Sequence, residues 1–341
     1  MRIFCVVGAM LAMLLVAGCG GGTETETRPD NTRKQAERSA PLKKVRVTLD
    51  GQEGAETAGI VMAGKLGYFT DVGLSVSILS PALPARPIPY VATREDDLGV
   101  AQEPQVVLSK EKGTPVVAVG RLIGGPTAAM IWLKESRIAS IKDLKGKTIA
   151  IPGIPFQKAF LKSCLARYGL TLADVKVKSV GYNLVSALAK GRADAIFGGS
   201  PNIEGVALKS QGLPTVVTRL NALGVPSYEE LVVVARIDRV AKEPGLIRDF
   251  MSAVARGTTA AIDDPDGAAE AIEEVNAGTA NLDRKVLEAQ LAATLPLLSK
   301  DGYMDPEKAR RLASWMHEEG IAEKPPPPSA LLTNKYVAKS P

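Results

Sequence analysis

Apolar residues recur along this chain with two different periods. Alternation, or a short unbroken apolar run, marks strands at 45–49, 74–79, 98–100, 115–120, 147–151, 175–180, 193–197 and 228–235. Within the last of these, Leu231-Val232-Val233-Val234 reads as a strand buried on both faces. A helical period marks 56–66, 104–111, 156–168, 184–190 and 203–211, interleaved with the strands. From residue 244 onward only the helical period remains, at 244–263, 265–276, 283–295 and 305–318. Strands alternating with helices predict parallel sheets covered on both faces. Two such stretches followed by a run of helices predict an α/β chain of two lobes, each a sheet flanked by helices.

The two ends depart from this pattern. One cation, Arg2, precedes an apolar stretch from Ile3 to Val16. That stretch falls short of the about 20 residues a spanning helix needs and has the layout of a secretory signal. Ala17-Gly18-Cys19 closes it and resembles the lipobox of bacterial lipoproteins. The resemblance implies removal of residues 1–18, lipidation of Cys19 and anchoring to a membrane on its extracytoplasmic face. Residues 19–42 lack apolar periodicity and read as a flexible tether. Pro325-Pro326-Pro327-Pro328 breaks any helix, so 323–341 reads as a Pro-rich tail packing along the surface. The division expected between these ends is 43–134 with 236–322 as the first lobe and 135–235 as the second.

Composition narrows the chemistry. Lys and Arg number 42 against 37 Asp and Glu, a net charge of +5. The charges are interspersed and short of neighbouring aromatics, which argues against a nucleic-acid partner. His317 is the one histidine, so histidine-ligated zinc, Ser-His-Asp triads and Cys-His dyads lack their parts. No catalytic residue, metal or cofactor is therefore expected. Once Cys5 is removed with the leader and Cys19 is lipidated, Cys164 has no disulfide partner. Its setting, Phe160-Leu161-x-x-Cys164-Leu165, reads as a packed helix face.

Three segments carry a resemblance in the right order. They are Gly64-Lys65-Leu66-Gly67-Tyr68-Phe69 with Gly73-Leu74-Ser75-Val76, the run Ile138 to Ala150 (IASIKDLKGKTIA), and Leu188-Ala189-Lys190-Gly191-Arg192-Ala193-Asp194-Ala195. Together they resemble the substrate-binding proteins of ABC importers, in the SsuA/ThiY-like class that takes thiamine pyrimidine precursors, sulfonates, nitrate and taurine. The resemblance implies a type II periplasmic-binding-protein fold with a ligand cleft between the lobes. Within the class, Leu49-Asp50 with Gly59, Ile78-Leu79-Ser80-Pro81, Gly99-Val100-Ala101-Gln102-Glu103 and Phe197 to Glu204 are most similar to binders of thiamine pyrimidine precursors. The chain departs from those binders where they carry a stacking tryptophan, an asparagine and a histidine: Gly51, Gly54 and Thr57 stand there. Pro152 likewise stands where they carry an aromatic. The implied solute is a pyrimidine of the hydroxymethyl or formylamino type, with riboflavin, sulfonate or taurine, and nitrate as alternatives. A ligand sensor and a pyrimidine-synthase-like enzyme are further alternatives. The implied partners are that small solute and a permease with its ATPase, with the receptor acting as a monomer.

In such a fold the ligand lies outside the carboxyl ends of the strands. Four loop groups fit that description. Asp50 is read as a partner for an amine or as a helix cap, and Glu53, Glu56 and Thr57 follow it where a helix dipole favours acids. Gln102 and Glu103 come next, with Glu103-Pro104 alternatively a plain helix start. Gly125 and Thr127, after one strand and before a crossover strand through Trp132, offer backbone donors or a simple turn. The fourth group is Gly153 with Phe156, then Asn202 and Glu204. Gly153 exposes backbone N–H groups, Phe156 stacks or packs, and Glu204 accepts from an exocyclic amine or ring imide, or serves the dipole of its helix. Tyr182 and Asn183 follow the strand at 175–180 and complete the set.

Overall fold

The computed structural model describes residues 41–81, 87–278 and 283–337. The leader 1–18, the lipidation candidate Cys19 and the tether up to residue 40 lie outside the described residues. In chain order the strands are β1 Lys43–Thr48, β2 Leu74–Leu79, β3 Leu98–Ala101, β4 Val116–Ile123, β5 Ala129–Leu133, β6 Thr148–Ile151, β7 Lys176–Ser179, β8 Ala195–Gly199, β9 Thr215–Arg219 and β10 Leu231–Arg236. They form two five-stranded sheets of order β2-β1-β3-β10-β4 and β7-β6-β8-β5-β9.

The sheets are mixed, which corrects the expectation of parallel ones. β1 pairs parallel with β2 and β3, and β6 pairs parallel with β7 and β8. β10 runs antiparallel between β3 and β4, and β5 runs antiparallel between β8 and β9. The route of the chain explains this. A strand arriving from the other sheet starts at the end where the parallel strands of its new sheet stop, so it must run against them. The crossings fall at 124–128 and between β9 and β10, so β5 belongs to the second sheet and β10 to the first. Boundaries at 134/135 and 235/236 separate each of these strands from its hydrogen-bonded neighbours. β9 and the helices Pro87–Thr93 and Ile237–Lys242 are additions to the pattern read from sequence. β9 is an edge strand whose residues are half-buried or exposed, so it lacks the contrast that periodicity detects.

Val45, Val47, Leu98, Val100, Val119 and Val233 of the first sheet pack on Ile247, Phe250 and Val254 of the helix Pro244–Asp263. That helix crosses the helix Ala58–Lys65 at two glycines: a Cβ at Gly257 meets the Gly59 carbonyl and Ala63, and one at Gly59 meets Thr258. On the second sheet, Phe160 of the helix Gln157–Ala166 packs edge-on against Phe156 and against Trp315 of the helix Pro306–Glu318, with centroids 4.7 and 4.8 Å apart. Cys164 is buried in the same cluster, and burial pushes its thiol up to about 12, which leaves it inert as a nucleophile. The tail is more than a surface strip. A short helix, Pro328–Leu331, buries Leu331, Leu332 bridges to Ala118 of β4, and the Asn334 amide bonds both the N–H and the carbonyl of Met304 at 3.0 and 2.8 Å. No helix among the described residues is long and apolar enough to cross a membrane.

The glycine crossing yields a direct test. Gly257→Ala forces the two helices apart and should cost about 1–3 kcal/mol in thermal denaturation. Gly64→Ala, at a helical position with open space around it, should leave the melting temperature unchanged or raise it. Equal effects at the two positions would remove the packing explanation.

Candidate functional site

The parallel strands of both sheets end at one cavity of about 290 Å³. Asp50 to Thr57 follow β1 and Gln102 follows β3. From the other sheet come Pro152 and Ile154 after β6, Gly181 and Tyr182 after β7, and Gly198, Ser200, Ile203 and Glu204 at the end of β8. Leu231, at the start of β10, and Gln290 of the helix Arg284–Thr294 complete the wall. The tight approach of these loops requires Gly198: its φ is +85°, and a Cβ there would press on the Gln157 side chain. The Tyr182 hydroxyl crosses the cleft and donates to the Asp50 carbonyl at 2.9 Å, and its ring lies against Gly51.

Carboxyl groups dominate the wall. Among the described residues that line it, none is lysine, arginine or histidine, whereas Asp50, Glu53, Glu56 and Glu204 are present. Burial, then the nearby Glu230 charge, raises the Asp50 carboxyl to about 7. Burial followed by the charges of Glu204, Glu230 and Asp50 raises Glu56 to about 8, against the smaller opposing pull of its bond from the Asn202 amide. Glu204 is also raised by burial, although the Ser200 N–H donates to it at 2.6 Å. Several buried acceptors have no hydrogen-bond partner among the described residues: Asp50 Oδ1, Gln102 Oε1 and Asn202 Oδ1. Asn202 is 5% exposed, and its Nδ2 donates to Glu56 Oε1 at 3.3 Å and to Thr294 Oγ1 at 2.9 Å. Among the described residues no cluster of His, Cys, Asp and Glu could hold a metal ion.

Glu230 stands behind the cavity where the chain crosses between sheets. Its carboxylate accepts the N–H groups of Thr127 and Ala128 at 2.7 and 3.2 Å. The Thr127 hydroxyl is 3.0 Å from that of Ser200, whose own N–H is bonded to Glu204. A continuous polar path therefore joins the crossing segments to the ligand wall.

Of the residues expected from sequence, Asp50, Thr57, Gln102, Tyr182 and Glu204 meet at this cavity. The others lie off its wall, each for a physical reason. Glu103 is buried and accepts the Glu229 N–H at 2.7 Å, which makes it a fold contact. Burial and the adjacent Glu229 push its carboxyl up to about 7, against the pull of that N–H. Thr127 turns its N–H to Glu230, and Gly125, at φ +107°, makes the turn before it. Gly153, at φ +89°, turns toward Ser179, and Phe156 packs into the core against Phe160. Asn202 sits beside Glu56 and orients it. Asn183 starts the helix Leu184–Ala189. Glu230 was hidden in sequence because it reads as part of an apolar strand, and Gln290 because it lies on a helix remote in the chain. Glu56 was legible in the first loop as an acid at a helix start.

A pair of mixed sheets with one cavity at the carboxyl ends of the parallel strands of both is the periplasmic-binding-protein fold. The chain belongs to the NMT1/THI5 like family, which it matches over residues 55–268. It is 29% identical over 331 residues to a formylaminopyrimidine-binding protein of Halalkalibacterium halodurans, covering 95% of this chain and 96% of that one. It is 27% identical over 354 residues to the riboflavin-binding protein RibY of Chloroflexus aurantiacus, covering 96% of each. A 4-amino-5-hydroxymethyl-2-methylpyrimidine phosphate synthase of Schizosaccharomyces pombe is 29% identical over 216 residues, 60% of this chain and 62% of that one. Among solved structures, the alkanesulfonate-binding protein SsuA of Xanthomonas axonopodis pv. citri, bound to MOPS, superposes with a TM-score of 0.66 at 16% identity, covering 86% and 99% of the two chains. That likeness extends to the fold.

The acidic wall makes stability depend on pH. A carboxyl whose folded value lies above its unfolded one binds protons in the native state that the unfolded chain has already released. Stability from Asp50 and Glu56 is therefore complete at low pH and lost as pH rises from about 4 through about 8. The depressed carboxyls Asp143, Asp174 and Asp238 act below that range. The melting temperature of the ligand-free protein should fall between about pH 5 and pH 8, and Glu56→Gln should flatten that fall. A melting temperature constant over that interval in the unaltered protein would contradict the reading.

Proposed function

We propose that this chain is the extracytoplasmic solute-binding component of an ABC importer, taking a small amino heterocycle of the thiamine-pyrimidine type. The observation that carries this is the wall itself: buried acceptors converge on a small cavity between two sheets, with carboxyls where an aminopyrimidine presents N–H groups. The cavity, about 290 Å³, has room for a monocyclic solute. A sulfonate or nitrate would face carboxyls and no cation among the described wall residues.

Binding in this reading is selection of a closed arrangement of the sheets, stabilised only as far as the solute prefers it. Tyr182, already bonded across the cleft to the Asp50 carbonyl, supplies the aromatic face opposite Gly51. Catalysis is the weaker reading, because His317 and Cys164 both lie away from the cavity wall. In the same proposal Cys19 carries the lipid that holds the receptor at the membrane, and a permease with its ATPase receives the solute.

A thermal-shift series tests the assignment. Formylaminopyrimidine at 100 times its dissociation constant should stabilise the protein by about 2.7 kcal/mol, while riboflavin and methanesulfonate leave the melting temperature unchanged. Glu204→Gln should weaken that binding at least tenfold, the loss of roughly one charge-assisted hydrogen bond, and leave the melting temperature of the free protein nearly as it was. A response to methanesulfonate in place of the pyrimidine would keep a receptor and discard this solute class.

A further inference from the structure

The cavity is short of positive charge. Asp50, Glu56 and Glu204 reach it from two sheets, with Glu230 behind them, and their carboxyls act on one another through the protein. The groups facing them are the Tyr182 hydroxyl, the Asn202 amide, the Ser200 N–H and the half-exposed Glu53, whose carboxylate accepts from Ser80. None of these carries positive charge. In addition, Asp50 Oδ1 and Gln102 Oε1, both of wall residues, are buried acceptors lacking a donor among the described residues. A buried acceptor left unpaired is costly, so the site stores a deficit that a donor-rich ligand removes. A metal ion does not fit, since these acids do not form a cluster able to hold one.

Resting on the receptor reading above, we propose that the cavity takes its solute as a compact organic cation of the amidinium kind, with Asp50, Glu56 and Glu204 as counter-charges, and that binding drives protons off these carboxyls into solvent. Amidinium is the matching shape because its N–H groups diverge in one plane, as do those of a protonated aminopyrimidine, and each can reach a different acceptor of the wall. The direction of the coupling follows from the free state. Near neutral pH burial, with the neighbouring carboxylates Glu230 and Glu204 adding to it, holds protons on Asp50 and Glu56, and an arriving cation supplies the counter-charge that lets them leave. No bond within the solute is made or broken. Each released proton passes from a carboxyl to buffer, and affinity rises with pH for as long as the solute keeps its charge. Anions are excluded by the same wall, so this cleft and a sulfonate-binding cleft of the same fold select opposite charges.

Three probes with one ring separate charge from shape: benzamidine, a cation at neutral pH, neutral benzamide, and anionic benzenesulfonate. Each is titrated calorimetrically into the purified full chain at about pH 6, 7 and 8, in two buffers of different ionisation enthalpy, with formylaminopyrimidine alongside. Benzamidine should bind at least tenfold more tightly than benzamide, gain about tenfold from pH 6 to pH 8, and show a buffer-dependent heat that reports proton release. Benzenesulfonate should give no binding. Glu56→Gln should remove most of the pH gain, and its cooperative unfolding verifies that the variant is folded. The proposal is overturned if benzenesulfonate matches benzamidine, if benzamidine fails to bind, or if its affinity is flat with pH and buffer. In any of these cases, binding of formylaminopyrimidine leaves the proposed function standing, and its absence removes the pyrimidine assignment as well.

Discussion

Two segments of chain pass between the sheets, and the Glu230 carboxylate fastens one to the other by accepting the N–H groups of Thr127 and Ala128. The Glu230 N–H itself donates to the Ile123 carbonyl at 3.1 Å, so the junction is fixed through both main chain and side chain. Burying an ionisable group this fully, at 3% exposure, is tolerable because the amides it accepts partly replace water. The same charge bears on Asp50, Glu56 and Glu204. What holds the two sheets in register is thus part of the electrostatics of the cleft between them.

The cleft works against the fold that carries it. Carboxyls brought together without cations, and acceptors left without donors, cost stability that the hydrophobic core clusters must supply. Such an arrangement persists where it serves binding, because the deficit returns as affinity for whatever satisfies it. The scaffold is shared with sulfonate-binding SsuA at 16% identity. Fold and wall charge are therefore set by different residues: strand ends position the wall, and the side chains on a few loops decide its charge.

Much of the architecture was legible in sequence. Apolar periodicity located most strands and the helices that cover them, because each buries one face whatever its partner is. Loops after β1, β3, β7 and β8 were found as site loops, since an acid or aromatic directly beyond a strand in an α/β fold faces the cleft. Strand direction was not legible: β5 and β10 read like any other buried strand, and only the end from which each enters its sheet makes it antiparallel. Phe156 and Glu103 show the limit within the site loops. Each lies one or two residues from a wall position, and neither a packed phenyl ring nor a carboxylate bonded to a remote N–H announces its orientation in one dimension.

The amino-acid order by itself determined the elements, the two-lobe α/β class, the family signature and the loops that meet the solute, because these depend on local propensity and on which face of each element must leave water. Tertiary structure alone decided which side chains of those loops form the wall, and that Glu230 and Gln290 act with them from distant segments. Burial, repulsion between carboxyls and the orphaning of an acceptor are properties of a place assembled by long-range contact, and no single segment contains that place.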